Sequence, residues 1–363
     1  MANATTLHEH DASEALAERI RQASTDGTPL RIVGGDTRFF YGREVVGSEL
    51  STREHCGISF YDPVELVVSV RAGTPLATLE AALAEHGQML PFEPPRYGEA
   101  STVGGMVASG LSGPRRPWAG AVRDFVLGAR VINHEGIEQR FGGEVMKNVA
   151  GYDLSRLMVG AQGTLGLITE VSFKVLPAPG AVQSLHLELP LDEARQRLAE
   201  WGREPLPISA AAWLDGALHL RLEGGPSSVA ATRARIGGDE LDNAFWPSLR
   251  DQQLPFFRAG QAPLWRLSLP HRAPTLDLPG IDERLMIHDW AGAQRWLRTE
   301  LDADSVRQAC QAAAGHATCY GPRPTAIEPF APLSEVLTKY HRNLKAQLDP
   351  KGIFNPGRLY AAF

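Results

Sequence analysis

Three glycine-rich segments constrain this chain more than any other feature. They are Val33-Gly34-Gly35-Asp36-Thr37-Arg38, Ser101-Thr102-Val103-Gly104-Gly105-Met106-Val107-Ala108-Ser109-Gly110 and Val159-Gly160-Ala161-Gln162-Gly163-Thr164-Leu165-Gly166-Leu167-Ile168-Thr169. Glycine reaches positive φ and carries no Cβ to hold a ligand away from the backbone. Successive amides in such turns form a concavity that favours phosphate oxygens. Each segment lies beside a β-like run, and all three fall in the first half of the chain. Together they point to one large, multiply phosphorylated ligand, and a dinucleotide such as FAD has that shape. The G-x-G-x-x-G fingerprint of a nucleotide-binding βαβ unit is missing, as is a G-x-x-x-x-G-K-[ST] phosphate loop. A dinucleotide bound here is therefore bound in some other fold.

At 363 residues the chain exceeds what one compact core usually holds, so two or three lobes are expected. With 43% hydrophobic and 21% charged residues it reads as an ordinary globular protein. A formal charge of -6 without a basic stripe argues against nucleic acid. The apolar runs are strand-sized, below the roughly 20 residues that span a bilayer. The segment from Met1 to Asp11 lacks the basic start and apolar core of a signal peptide, so the expectation is a cytoplasmic chain. Cys56, Cys310 and Cys319 are widely spaced, with no C-x-x-C. An iron–sulfur cluster takes about four closely spaced thiolates, so this chain alone carries none, and buried reduced thiols are expected.

Along the chain, Asp11-Ala12-Ser13-Glu14 reads as a capping box opening a helix with Ala12, Leu16, Ile20 and Ala23 on one face. Residues 30–33 and 66–70 read as strands. Thr74-Pro75 supplies an N-cap and an N1 proline for a helix carrying Leu76, Leu79 and Leu83, which Gly87 ends. Residues 125–132 are strand-like around Gly128, and 168–175 form another strand. Pro177-Ala178-Pro179-Gly180 is the best boundary. Beyond it the order is strand 182–189, helix 191–201, strands 208–214 and 217–222 around Asp215-Gly216, and helix 227–236. That order suggests a ferredoxin-like layer. Further strands at 264–269 and 284–288 and a helix at 304–314 follow. Residues 334–348 form an amphipathic helix with Leu333, Val336, Leu337, Tyr340, Leu344 and Leu348 on one side. Proline and glycine turns follow it, and this apolar end is expected to pack back onto the body.

Four stretches resemble a known family. They are Arg31-Ile32-Val33-Gly34-Gly35-Asp36-Thr37, residues 95–110, the run from Gly151-Tyr152-Asp153-Leu154 to Thr169, and Asp349-Pro350-Lys351-Gly352-Ile353-Phe354-Asn355-Pro356-Gly357-Arg358. They resemble the FAD-binding oxidases of the vanillyl-alcohol-oxidase type, also called the p-cresol-methylhydroxylase (PCMH-type) fold. Within that family, Lys147-Asn148-Val149-Ala150-Gly151-Tyr152-Asp153-Leu154 and the ending Asn355-Pro356-Gly357-Arg358-Leu359-Tyr360 resemble the small FAD-binding subunits of bacterial glycolate oxidases.

The resemblance implies an α+β protein in three parts. Residues 1–178 would form an FAD domain of two α/β subdomains, roughly 1–60 and 61–178. Residues 179–320 would form a ferredoxin-like α+β cap, and 321–363 would return to the flavin domain. It also implies roles. Gly34, Gly35, Asp36, Thr37, Ser101, Thr102, Gly104 and Gly105 would line the pyrophosphate, with Gly98 among the FAD contacts of the same stretch. Ser109 and Gly110 would follow the dinucleotide toward the ring. Gly160, Gly163 and Ile168 would lie near its ribityl, adenosine or ring portions, and Asn355 and Arg358 near the isoalloxazine. Taken singly, each glycine is as readily a plain tight turn. Where covalent members place His or Cys, this chain has Asp36, Thr37, Ala100 and Ser101, so non-covalent FAD is expected.

Hydroxy-acid dehydrogenases of the family carry a Gly-His-x-Gly-Asp-Gly-Asn-x-His type segment in the cap. Here only Gly315-His316-Ala317-Thr318-Cys319-Tyr320 stands, with neither acid nor second His. His316 is a candidate base; a residue opening a strand is the plainer reading. His271, His288 and His341 are isolated, and no H-x-x-x-H or H-E-x-x-H spacing occurs, so no metal is expected. Arg96, Arg115, Arg116 and Arg323 could each clamp a carboxylate, although solvated surface arginines are commoner. The resemblance therefore implies an FAD subunit of a multi-chain 2-hydroxy-acid dehydrogenase. Its partners would be a homologous FAD-containing catalytic subunit and an iron–sulfur subunit, and peripheral contact with the inner membrane would come through that complex. A free-standing FAD oxidoreductase with its own site, or a flavin-binding scaffold without redox function, stays open. Phe245-Trp246, Phe256-Phe257 and Trp265 mark a partner surface or the core of the cap.

Overall fold

The computed structural model describes residues 9–143, 153–321, 323–324 and 326–363. Of the most specific resemblance, residues 147–154, all but Asp153 and Leu154 lie outside them. The chain forms two compact units: Met1–Leu111, Ala121–Ala178 and Pro332–Phe363 make the first, and Ser112–Gly120 with Pro179–Ala331 the second. The change of unit at 178/179 coincides with the Pro-Gly punctuation. Two assignments differ from the expected three-part division. Residues 112–120 belong to the second unit because Arg115 pairs with Glu223 at 2.5 Å, the Trp290 indole donates to the Gly113 carbonyl at 3.0 Å and Arg116 covers the Trp290 ring at 4.5 Å. The return begins at Pro332, because Cys319 donates its amide to Pro329 at 2.9 Å and so ties the preceding residues to the second unit.

In the first unit, β1 (Leu30–Val33) and β2 (Ser48–Ser51) pair in parallel. The helix Ser13–Asp26 buries Leu16, Ala17, Ile20 and Ala23 in a core shared with Leu30, Leu50, Ile353 and Phe354. Its capping box does not form: Ala12 is the N-cap, and Asp11 accepts the Ser13 amide at 2.9 Å instead. A second sheet has the order β3 (Ile58–Asp62), β4 (Val67–Arg71), β8 (Leu167–Lys174), β6 (Val126–Ile132), β7 (Glu138–Gly142), and is antiparallel throughout. The short strands β5 (Gln88–Met89) and β9 (Leu176–Pro177) pair beside it. Helices Leu76–Glu85 and Val103–Ser109 lay Leu76, Leu79, Leu83, Val103, Met106 and Val107 into the core of this sheet. Thr74 is not the N-cap of the first of these helices. Pro75 stands there with ψ 134, and the Thr74 hydroxyl donates to the Arg71 carbonyl at 2.7 Å.

The second unit is one eight-stranded antiparallel sheet whose two halves repeat one topology. The first half runs β10 (Ala181–Glu188), helix Leu191–Trp201, β11 (Ile208–Leu214), β12 (Ala217–Gly224), helix Pro226–Ile236, β13 (Asp239–Leu241). Its sheet order, β13-β10-β12-β11, is that of a ferredoxin-like split βαβ. Asp215 and Gly216, at φ 51 and 82, give the two-residue turn that matches the twist of paired strands. The second half, β14 (Leu264–Ser268), β15 (Ile287–Asp289), β16 (Gln294–Arg298), helix Ala303–Ala312 and β17 (His316–Cys319), has the equivalent order β15-β16-β14-β17. Residues 269–286 stand where its first crossover helix would be. They are pinned by the buried Glu283 carboxylate, which accepts from the Leu276 amide at 2.9 Å, from Arg195 at 2.7 Å and from Arg295. The halves join where Trp213 of β11 faces His288 of β15.

Of the two readings open for the aromatic residues, partner surface or core of the cap, the packing is largely that of a core. Trp246, Phe257 and Trp265 are buried, and the Trp246 indole donates to the Ser184 hydroxyl at 2.8 Å. Cys310 and Cys319 are buried free thiols, and desolvation pushes each up to about 11. Among the described residues no helix is long and apolar enough to cross a membrane.

Candidate flavin site

The first glycine loop leaves β1 and bends at once. Asp36 takes a left-handed φ of 56, and its carboxylate is held by Arg31 at 3.3 Å. No described residue accepts from the amides of Gly34, Gly35, Asp36 or Thr37. The loop lies hard against the second glycine segment. A Cβ on Gly34 would run into the Thr102 hydroxyl, and one on Gly35 into the Ala100 carbonyl. Gly98, at φ 119, sits with its would-be Cβ 3.8 Å from the Thr37 methyl. The two loops are stitched by Arg38, a buried guanidinium that donates to the Ser101 hydroxyl at 2.8 Å and to the Pro95 carbonyl.

The second segment contributes differently from the first. Thr102 caps the helix Val103–Ser109, its hydroxyl accepting the Gly105 amide at 3.3 Å. The amides of Val103 and Gly104 go to the Thr74 and Ala72 carbonyls at 2.9 and 2.7 Å. A Cβ on Gly104 would come within 2.7 Å of that of Ala72, so this glycine serves close helix–strand packing. The Ser109 hydroxyl donates to the Met106 carbonyl at 2.9 Å, and Gly110, at φ 64, closes the helix.

The third segment crosses the end of that helix. Gly160 and Gln162 donate their amides to Val107 and Ala108 at 3.0 and 2.8 Å, and a Cβ on Gly110 would stand 3.1 Å from the Gly160 backbone. Gly160, Gln162 and Gly163 all have positive φ. Ile168 lies further on, in β8, with its side chain in the core.

The C-terminal segment closes the arrangement. Leu30 donates to Ile353 at 2.7 Å and Asn355 to Leu30 at 3.1 Å, so the return adds an edge to β1. The Asn355 side chain accepts the Ile32 amide at 2.8 Å and donates to the Gln162 carbonyl at 2.7 Å. Gly163 must lack a Cβ, which would fall 2.7 Å from the Asn355 Nδ2. Lys345 is buried and donates to Asp349, Thr164 and Phe354 at 2.6, 2.7 and 2.8 Å. Its burial lowers its pKa, against the pull of Asp349. All three glycine segments and the tail thus meet in the first unit. Arg38, Gln162, Lys345 and Asp349 were not singled out by sequence. Only the i,i+4 spacing of Lys345 and Asp349 signals a pair.

This cradle suits the pyrophosphate of FAD. It offers a run of open amides in a loop with a left-handed residue, two neighbouring loops too close for side chains, and a buried cation beside them. The acid of the first loop, Asp36, is paired with Arg31. His316 opens β17 in the second unit, opposite Ser268, with an exposed edge; desolvation and then Arg266 lower its pKa. The arginines weighed for a substrate carboxylate have protein partners. Arg96 contacts Glu80, Arg115 pairs with Glu223, Arg116 lies over Trp290 and Arg323 donates to the Ile327 carbonyl. No group of three or more His, Cys, Asp or Glu that could hold a metal occurs among the described residues.

Comparison with known proteins bears on the same loops. The FAD binding domain family matches residues 9–142, which contain the first two glycine segments. The glycolate oxidase subunit GlcE of Escherichia coli (strain K12) is 56% identical over 355 residues, 98% of this chain and 99% of that protein. A D-lactate dehydrogenase of Anaerostipes hadrus is 33% identical over 187 residues, 51% of this chain but only 39% of its own length. Among solved structures, an alkyldihydroxyacetonephosphate synthase superposes with a TM-score of 0.66 at 16% identity, covering 96% of this chain and 74% of that one. That likeness speaks for the fold. The end-to-end identity reaches further, through the second unit that carries no readable motif, and the chain belongs to the GlcE family of glycolate oxidase subunits, within the PCMH-type FAD-binding proteins.

Proposed function

We propose that this chain is the FAD-binding subunit of a multi-chain glycolate dehydrogenase, which oxidises glycolate or a close 2-hydroxy acid and passes the electrons on through partner subunits. The observation that carries the reading is the 56% identity to a glycolate oxidase subunit across essentially both whole chains. Bound FAD supplies a two-electron acceptor for the hydride of a hydroxyl-bearing carbon. The chain's own residues bind and orient it. The amides of Gly34 to Thr37 would hold the pyrophosphate, with the Arg38 charge and the Ser101 hydroxyl behind them, Gly98 and Gly105 leaving room, and Thr102 and Gly104 setting the helix Val103–Ser109 beside them. Ser109, Gly110, Gly160 and Gly163 would flank the rest of the dinucleotide, and Asn355 ties β1 to the third loop. No cysteine or histidine stands in these loops, which supports non-covalent attachment.

Two observations favour a subunit over a free-standing enzyme. The candidate carboxylate clamps are engaged by protein groups, and His316 has no acid or second histidine beside it in sequence. A base within hydrogen-bond reach of the substrate hydroxyl is needed for this oxidation. The partners in this reading are a homologous FAD-containing catalytic chain and an iron–sulfur chain. Co-expression with a tag on this chain should recover all three, with acid-releasable FAD on this one. His316→Ala should leave the complex within a few-fold of its activity; a loss of about a hundred-fold or more, the scale of a general base, would make His316 catalytic. Recovery of this chain alone, as a monomer reducing a dye with glycolate or D-lactate, would overturn the reading.

A further inference from the structure

The Arg358 guanidinium has five N–H donors, as every arginine does, and each has a protein acceptor. Nε donates to the Gln162 side chain at 3.0 Å. Nη1 donates to the Phe39 and Arg43 carbonyls at 3.1 and 2.6 Å, and Nη2 to the Arg38 and Tyr41 carbonyls at 3.1 and 2.7 Å. The Arg43 amide donates back to the Arg358 carbonyl at 2.8 Å. Four carbonyls from residues 38–43 therefore converge on one cation, and the turn they form is the continuation of the first glycine loop. Gln162, the fifth acceptor, lies between the glycines of the third loop. Gly42 sits at φ 116, where a Cβ would come within 2.5 Å of Gln162 Oε1 and 2.9 Å of Arg358 Nε. The turn is thus shaped around the guanidinium on one side and stripped of a side chain on the other.

We propose that Arg358 is a positioning residue for FAD: it folds residues 38–43 around its guanidinium and ties them to the third loop, so that the amides of Gly34 to Thr37 and the Arg38 side chain are already placed when the cofactor arrives. It acts through those loops and touches neither the phosphates nor the ring. The inference rests on the reading that this site takes FAD. Convergent carbonyls repel one another unless a donor set of matching shape lies between them. Lysine keeps the charge but offers three donors from a single point, so it cannot reproduce a planar five-donor fork. Shape, rather than charge, is the property at issue.

The test uses the full chain, stripped of flavin and titrated with FAD by flavin fluorescence, with circular dichroism to follow folding. Wild type should bind FAD; a wild-type chain that takes up none would sink the cofactor reading itself. Arg358→Lys should raise the FAD Kd at least about tenfold, equivalent to about 1.4 kcal/mol, although charge is kept. Gly42→Ala, which leaves Arg358 in place but presses on Nε and Gln162, should raise Kd in the same direction and so carries the test if an Arg358 variant fails to fold. At saturating FAD, the bound-flavin spectrum and reduction potential of Arg358→Lys should match wild type. Wild-type affinity in both variants overturns the proposal. So does a shifted spectrum or potential in saturated Arg358→Lys, since that places the guanidinium beside the ring.

Discussion

One methyl group at position 35 has nowhere to go, because a Cβ there would run into the Ala100 carbonyl of the neighbouring loop. Gly35→Ala should therefore separate the two loops, cost about 1–3 kcal/mol as overpacking does, and lower bound FAD in a titration of the purified chain. A variant with wild-type FAD content would show that the contact yields freely. Gly105→Ala should strain the packing less, since its would-be Cβ meets a side-chain hydroxyl at 3.2 Å rather than backbone. Lys345 is a residue whose value no local pattern reveals. It is the cation of a buried pair, and Asp349 beside it accepts the Ile353 and Phe354 amides at 3.1 and 2.9 Å. Lys345→Met should leave that carboxylate uncompensated and cost about 3–5 kcal/mol in urea unfolding at neutral pH. A loss under about 1 kcal/mol, the scale of a surface pair, would mean water replaces the ammonium. Glycines were legible one by one, but which of them face a ligand was not. Gly104 turned out to face Ala72, and the amides left open belong to Gly34 through Thr37.

At the scale of elements, the hairpin β11–β12 was readable because Asp215-Gly216 carries its own turn chemistry. The crossover at 269–286 was not, because its order comes from Glu283, Arg195 and Arg295, which are distant in sequence. The sheet of the second unit carries a pH liability. Desolvation lowers both His219 and His288 to about 4. Their folded pKa values lie below the unfolded value of about 6.5, so between these limits the unfolded chain binds more protons. Stability should be full near pH 7 and fall as the pH drops from 6.5 toward 4, by at most about 3 kcal/mol per histidine. Urea midpoints measured across that range should flatten in His219→Leu. A slope unchanged in that variant would assign the acid sensitivity elsewhere. In the first unit the decisive element is the return strand. Removing residues 349–363 takes Ile353 and Phe354 out of the core under β1 and Asn355 and Arg358 off the loops. The truncated chain should lose FAD and melt well below wild type in a thermal scan; retained FAD would show that the loops hold themselves.

For the molecule as a whole, the C-terminal end was expected to pack back onto the body, and its last residues do, with Ile353 and Phe354 in the core; the amphipathic helix before them packs less. Only its far end is engaged, through Lys345 and through His341, which lies against Phe363 with ring centroids 5.8 Å apart. Val336, Leu337 and Tyr340 remain exposed. Leu337→Asp and Tyr340→Asp should consequently change the stability and FAD content of the isolated chain little, within about 0.5 kcal/mol. A larger loss, measured by urea unfolding, would mean that this face is covered in solution. The aromatic residues near 246 and 265 allowed two readings from sequence, a partner surface or the core of the cap, and packing places most of them in the core. What the sequence by itself determined is whatever depends on local covalent properties: glycine turns, strand and helix periods, the family resemblance, and the absence of a cluster-binding cysteine spacing. Tertiary structure alone decided which groups meet across long stretches of chain. Arg358 closes on carbonyls more than 300 residues away, Lys345 on Thr164, and Asn355 on Ile32. The physical reason is that buried donors and acceptors must be satisfied, while nothing in the residue types says which distant partner the fold will bring within reach.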